Sequence, residues 1–118
     1  MDPRVRQAIS IMTQNVHRRI PLSELARAVH LSASHLSQLF KDATGTSPAR
    51  YLKQLRMERA KELLETTFLG VEEIATQVGS GVSHFVRDFE RTYGQTPARY
   101  AARHRSAGSE REANRKIG

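Results

Sequence analysis

Residues 22–51 read LSELARAVHLSASHLSQLFKDATGTSPARY, and residues 71–100 read VEEIATQVGSGVSHFVRDFERTYGQTPARY. A shift of 49 residues lays one on the other without a gap, carrying residues 22–56 onto residues 71–105. The identities include Glu24/Glu73, Ala26/Ala75, Val29/Val78, Ser34/Ser83, His35/His84, Phe40/Phe89, Gly45/Gly94 and the tetrad Pro48-Ala49-Arg50-Tyr51 against Pro97-Ala98-Arg99-Tyr100. One supersecondary unit is therefore used twice. Two copies fall short of the three or more that a stacked array needs for a continuous core, so each copy is expected to bury its own. A tandem of this kind points to two binding events on one ligand.

Outward from the repeat, the punctuation is helical throughout and no alternating strand pattern occurs, so the expected fold is all-α. Asp2 before Pro3 is an N-cap followed by a residue suited to the first helical position. Ala8, Ile9, Met12 and Val16 form an apolar stripe that ends at the break from Arg18 to Pro21. Leu22, Leu25, Ala26 and Val29 predict a helix of about eight residues, and His30-Leu31-Ser32 a tight connection. Ser32 caps the next helix, which runs to Thr44 and stops at Gly45, the residue best able to turn left-handed. Ser47-Pro48 repeats the cap-then-proline signal. Leu52, Leu55, Met57, Ala60, Leu63 and Leu64 then mark a long helix to Glu65. The second copy opens at Gly70, with helices from Val71 to Val78, from Val82 to Tyr93, and from Pro97 to near Arg105. The expected layout is a first subdomain over 1–47, a linker helix over 48–65, a second subdomain over 66–105, and a tail over 106–118. That tail is polar, basic and almost without apolar anchors, and reads as disordered.

A short helix, a tight turn and a second helix make the helix-turn-helix arrangement, whose second helix enters the major groove of DNA. In the first copy Leu36, Leu39, Phe40 and Ala43 form the expected buried stripe, leaving Ser34, Ser37, Gln38 and Lys41 together on the opposite face. Gln38 can pair bidentately with adenine, the serines serve either base, and Lys41 suits guanine or phosphate. In the second copy Phe85 and Phe89 point inward, while Ser83, Val86, Arg87 and Glu90 point out. Arg87 is the best candidate for guanine O6 and N7. Arg50 and Arg99, one turn into the helices that follow, are placed for phosphate or for a nearby acid. His35 and His84 sit beside the two turns, to contact phosphate or to pack against the neighbouring helix.

Charge agrees with these faces: Lys and Arg number 19 against 12 Asp and Glu, a net +7 that favours a polyanionic partner. Cysteine is absent, which excludes disulfides and thiolate metal sites. His30 and His35 lie five residues apart, and His17 and His104 lack a partner at helical metal spacing, so no metal or other cofactor is expected. No run has the length of a membrane span or the pattern of a signal peptide. No glycine-rich phosphate loop, nucleophile motif or convergent carboxylate pair is present, which argues against an enzyme. A helical protein-interaction module would bind through an exposed apolar groove, whereas the outward faces here are polar.

The pattern Ser32-x-x-His35-Leu36-x-x-x-Phe40-Lys41-x-x-x-Gly45-x-Ser47-Pro48-x-x-Tyr51, followed by Leu55-Arg56-Met57-x-x-Ala60-x-x-Leu63-Leu64 and Glu73-Ile74-Ala75, resembles the DNA-binding domain of AraC/XylS-type transcriptional regulators. The resemblance covers residues 5 to 105 and rests on several spaced motifs in the same order. It implies seven helices in two helix-turn-helix subdomains, joined by a linker helix from Pro48 to Glu65. Both recognition helices would lie in successive major-groove segments of double-stranded DNA, about 34 Å apart. It also implies a bacterial regulator acting in the cytoplasm on the nucleoid, an activator that meets RNA polymerase. The opening Asp2-Pro3-Arg4-Val5 and the segment Thr46 to Tyr51 resemble the subgroup with an amidotransferase-like sensor domain in front. Within this class the chain is expected to be either a whole small regulator or the C-terminal piece of a larger one.

Carried over by position, the resemblance assigns base reading to Ser34, Ser37 and Gln38 in the first recognition helix, and to Val82, Ser83, His84 and Arg87 in the second. The two routes agree on Ser34, Ser37, Gln38, Ser83 and Arg87. Two departures stand out. Gly79-Ser80 replaces the usual glycine and aromatic, which predicts a thinner second core. Asp88 and Glu90 stand where the first copy has Leu39 and Lys41, which predicts weaker non-specific binding by the second unit, because carboxylates repel phosphate.

Overall fold

The Asp2 carboxylate accepts the Arg4 N–H at 2.8 Å and Pro3 supplies the fixed φ of the first turn, so helix α1 spans Pro3–Gln14. The computed structural model describes residues 1–105, and the tail expected over 106–118 lies outside the described residues. Helix α1 ends where the Asn15 side chain donates to the Ile11 carbonyl at 2.8 Å, leaving Val16 in the loop, half-buried. Helix α2 spans Leu22–Ala28 and helix α3 Ala33–Thr44, the latter capped by the Ser32 hydroxyl, which accepts the His35 N–H at 3.1 Å. Helix α4 spans Pro48–Thr66, α5 Val71–Gln77 and α6 Val82–Tyr93. Helix α7 covers 97–105. Among the described residues the fold is all-α, with seven helices and no strand.

The two turns are built alike. Leu31 N–H donates to the Ala26 carbonyl at 2.9 Å, and Ser80 N–H to the Ala75 carbonyl at 2.9 Å, at equivalent places in the repeat. Each turn requires one residue in the left-handed conformation: Gly79 takes it at φ 70°, and His30 takes it at φ 60° despite its side chain.

The chain divides into two compact units between Arg56 and Met57, inside α4. In the first, Val5, Ala8 and Met12 of α1 pack with Leu25, Ala26, Val29, Leu36, Phe40 and Leu52. In the second, Met57, Ala60 and Leu64 of α4 pack with Ile74, Ala75, Val78, Phe85, Phe89 and Tyr100. Val5, Ala8 and Met12 thus recur as Met57, Ala60 and Leu64, at a spacing of 52 residues rather than 49. The repeat therefore reaches back into α1. The loop that follows is three residues shorter in the second unit, 67–70 against 15–21, and that deletion breaks the alignment.

Arginines close both loops. Arg56 donates through Nε to the Val16 carbonyl at 3.1 Å and through Nη2 to that of Arg18 at 2.7 Å. Arg105 donates through Nε to the Leu64 carbonyl at 3.1 Å and through Nη2 to that of Leu69 at 2.7 Å. Ring pairs repeat as well, Phe40 meeting Tyr51 edge-on at 5.2 Å and Phe89 meeting Tyr100 edge-on at 5.6 Å.

The expected buried stripe of α3 needs correction, because Ala43 is exposed and Leu39 only half-buried. The inward row runs in steps of four, Leu36, Phe40 and Thr44, where the Thr44 hydroxyl donates to the Phe40 carbonyl at 2.8 Å. Helix α6 follows the same row with Phe85, Phe89 and Tyr93, so Val86, expected to face out, is half-buried. The second core has no aromatic at Ser80 and draws its rings from elsewhere. Its aromatic volume comes from Phe85, Phe89, Tyr93 and Tyr100, whose rings make an unbroken series of contacts.

Candidate nucleic-acid interface

A recognition helix needs a rigid inner side and an outer face of side chains whose donors and acceptors remain available. Helix α3 meets the first need through Leu36 and Phe40, both wholly buried. Its outer face carries Ser34, Gln38 and Lys41, all exposed, with Ser37 half-buried beside them. Gln38 is not idle: its amide Nε2 donates to the Asp42 carboxylate one turn on, at 3.0 Å. His35 is exposed in the first turn, so the packing alternative for this residue falls away.

Helix α6 is anchored by Phe85 and Phe89, both wholly buried. Its outer face carries Val82, 42% exposed, with Ser83, His84, Arg87 and Glu90, all exposed. His84, like His35, is not packed away. Among the described residues Arg87 makes no hydrogen bond or ion pair, which leaves all five guanidinium donors available to a ligand. Asp88 is half-buried and already engaged, so the acidic character of this face rests on Glu90.

Where each recognition helix ends, the next begins beside a concavity lined by cations. Gly45, at φ 80°, ends α3. Thr46, Ser47 and Arg50 at the start of α4 then line a hollow with Lys41 and Lys53. Gly94, at φ 78°, ends α6 in the same way, and Gln95 and Arg99 line the corresponding hollow with Arg103. The Ser47 hydroxyl accepts the Arg50 N–H at 3.2 Å, and the Thr96 hydroxyl accepts the Arg99 N–H at 3.3 Å. Both hollows therefore pair the positive end of a helix dipole with an exposed arginine, an arrangement that favours an anion. The hollows share Gly45/Gly94, Thr46/Gln95 and Arg50/Arg99 but differ in their other cations: Lys41 and Lys53 line the first, their equivalents are Glu90 and Ala102, and Arg103 lines the second.

Each unit thus brings its own candidates onto its outer face: Ser34, Ser37, Gln38 and Lys41 with Arg50 nearby, and Val82, Ser83, His84 and Arg87 followed by Arg99. Sequence reasoning overlooked Asp42, Lys53 and Arg103. The signal for Asp42 was its place four residues after Gln38, the spacing at which helix side chains meet. Among the described residues no three His, Cys, Asp or Glu side chains gather as metal ligands, and no helix is long and apolar enough to cross a membrane.

Comparison with known proteins adds a family and its fold. A family model described as a helix-turn-helix domain matches residues 25–103. The lactose operon transcription activator of Staphylococcus xylosus is 35% identical over 75 residues, which cover 64% of this chain and 27% of that protein. The match thus spans about a quarter of that relative's length. A transcriptional regulator from Chromobacterium violaceum, described among AraC-type DNA-binding domain-containing proteins, is 30% identical, with a TM-score of 0.81 over 86% of this chain and 92% of that one. The DNA-binding domain of AdpA, a global transcriptional factor solved in complex with a target DNA, is 27% identical, with a TM-score of 0.83 over 91% of this chain and 96% of that one.

Proposed function

The chain belongs to the helix-turn-helix family of AraC-type domains, and on that footing we propose that it binds double-stranded DNA sequence-specifically as part of a bacterial transcription regulator. The observation that carries this reading is the recurrence, in both units, of a polar exposed face on the second helix beside a cationic hollow at the start of the next. Helices α3 and α6 occupy successive major-groove segments. Ser34, Ser37 and Gln38 read bases from α3, and Val82, Ser83, His84 and Arg87 read them from α6. Lys41, His35, Arg50 and Arg99 take phosphates, which fix register and supply most of the affinity.

Regulation is activation through contact with RNA polymerase, in keeping with the description of the Staphylococcus relative as an activator. The sensor that accompanies such a domain is amidotransferase-like, on the strength of the segments Asp2 to Val5 and Thr46 to Tyr51. The site of action is the cytoplasm, at the nucleoid. The helix from Pro48 to Glu65 serves as the linker between the two readers.

Selection from a random duplex library at about 150 mM salt, where non-specific phosphate attraction is partly suppressed, tests the reading. An asymmetric enriched motif with two boxes about one helical turn apart is the expected result. Binding that is indifferent to both salt and sequence would sink it and point to a protein-interaction module instead.

A further inference from the structure

The Gln38–Asp42 contact is costly for a DNA-reading face unless it has a use. Asp42 is exposed, and a carboxylate on that face repels phosphate. The equivalent of Asp42 in α6 is Arg91, and that of Gln38 is Arg87, so the second unit places two cations where the first places an amide and an acid. The first unit thus forgoes a cation that the same scaffold accepts. In return, the carboxylate accepts one N–H of the Gln38 amide at 3.0 Å, a charge-assisted bond.

That bond settles which end of the amide is which. With Nε2 turned toward Asp42, the Oε1 atom points away, since the reverse orientation would set two acceptors against each other. The amide keeps one free N–H and its Oε1 acceptor, the pair needed for adenine N7 and N6–H. An amide free to rotate could instead turn its NH2 group toward guanine, which offers acceptors at both N7 and O6.

We infer that Asp42 is a positioning residue for Gln38, orienting its amide so that the first recognition helix selects adenine over guanine at one base pair. The inference rests on the reading of α3 as a DNA-reading helix. Asp42 itself touches no base; it trades non-specific affinity for discrimination.

The test compares the whole chain with its Gln38→Ala, Asp42→Ala and Asp42→Asn variants on two duplexes, the selected one and one with guanine in place of adenine at the position assigned to Gln38. Asp42→Ala should bind both duplexes more tightly at low salt, yet lose about fivefold of its preference for adenine. Asp42→Asn keeps an acceptor without the charge. It should show the same gain in general affinity while holding its preference within about twofold of the parent. Equal shifts on both duplexes for Asp42→Ala would reduce Asp42 to a repulsive charge and overturn the inference. If Gln38→Ala kept the preference intact, the assignment of Gln38 as a reader would fail, and the role of Asp42 with it. Loss of preference in Asp42→Ala with retention in Asp42→Asn establishes the role, because a merely structural residue would not separate the two variants.

Discussion

Arg56 and Arg105 are structural equivalents: each spends Nε and Nη2 on two backbone carbonyls of its own unit, and in both cases the Nη2 bond is 2.7 Å long. Both side chains are half-buried, and burial lowers the pKa of Arg56. These bonds add to the local ones that already order the two loops, Arg18 with Asn15 and Glu24 in the first and Thr67 with Leu63 and Leu69 in the second. Replacing either arginine by methionine keeps the apolar stem and strands two carbonyls, which should cost about 1–3 kcal/mol in urea unfolding. Lysine at either place, with its point charge, should recover only part of that loss. A stability unchanged in Arg105→Met would show that the loop needs no clamp.

Ala43 offers the sharpest check on how α3 faces its core. Exposed as it is, Ala43→Gln should change stability by no more than about 0.5 kcal/mol. Phe40→Ala, three residues earlier, should cost about 3–5 kcal/mol. If the two substitutions proved comparably damaging, the inward row of Leu36, Phe40 and Thr44 would be misplaced.

High pH should weaken the second unit. The Tyr100 hydroxyl donates to Glu65, and burial first, then that bond and the Glu65 charge, push its pKa up. Tyr93 is raised too, by burial and by Glu58 and Glu65. A folded state with raised tyrosine pKa values holds protons that the unfolded chain releases. The contribution is complete below about pH 10, the ordinary tyrosine value, and is lost as pH rises through the folded values. Melting temperatures should therefore fall above pH 10. Tyr100→Phe should start lower at pH 8 and decline less steeply above pH 10; an equally steep decline would assign the alkaline sensitivity elsewhere.

Arg87 and Lys41 should separate base reading from phosphate attraction. Arg87→Ala is expected to lose about 1–3 kcal/mol against one base position while barely changing affinity for scrambled duplexes. Lys41→Ala should weaken all duplexes alike and lower the salt slope by about 1. Titrations at several salt concentrations on cognate and scrambled DNA give both quantities. An Arg87→Ala loss that was equal on the two would end its candidacy as a base reader.

Much of this was legible from the chain. Ser32, Gly45, Pro48, Gly94 and Pro97 mark helix ends through backbone requirements that do not depend on the rest of the fold, and the structure places its boundaries at them. Ala43 was misassigned because a small apolar residue near a helix end satisfies a periodic pattern without having a neighbour to pack against. The kinship of α1 with the second half of α4 was hidden by a three-residue deletion, which a fixed shift cannot absorb. The outer faces of α3 and α6 could be assigned because their buried phenylalanines fix the opposite side. The Gln38–Asp42 bond could not, since spacing allows a contact and only the side-chain geometry shows it made.

Because the boundary between the units falls inside α4, one helix closes the first module and opens the second. The chain thereby builds two four-helix assemblies from seven helices. Dividing it into halves has a cost: whichever fragment loses its part of α4 gives up Leu52 on one side or Met57, Ala60 and Leu64 on the other, along with the core those residues complete.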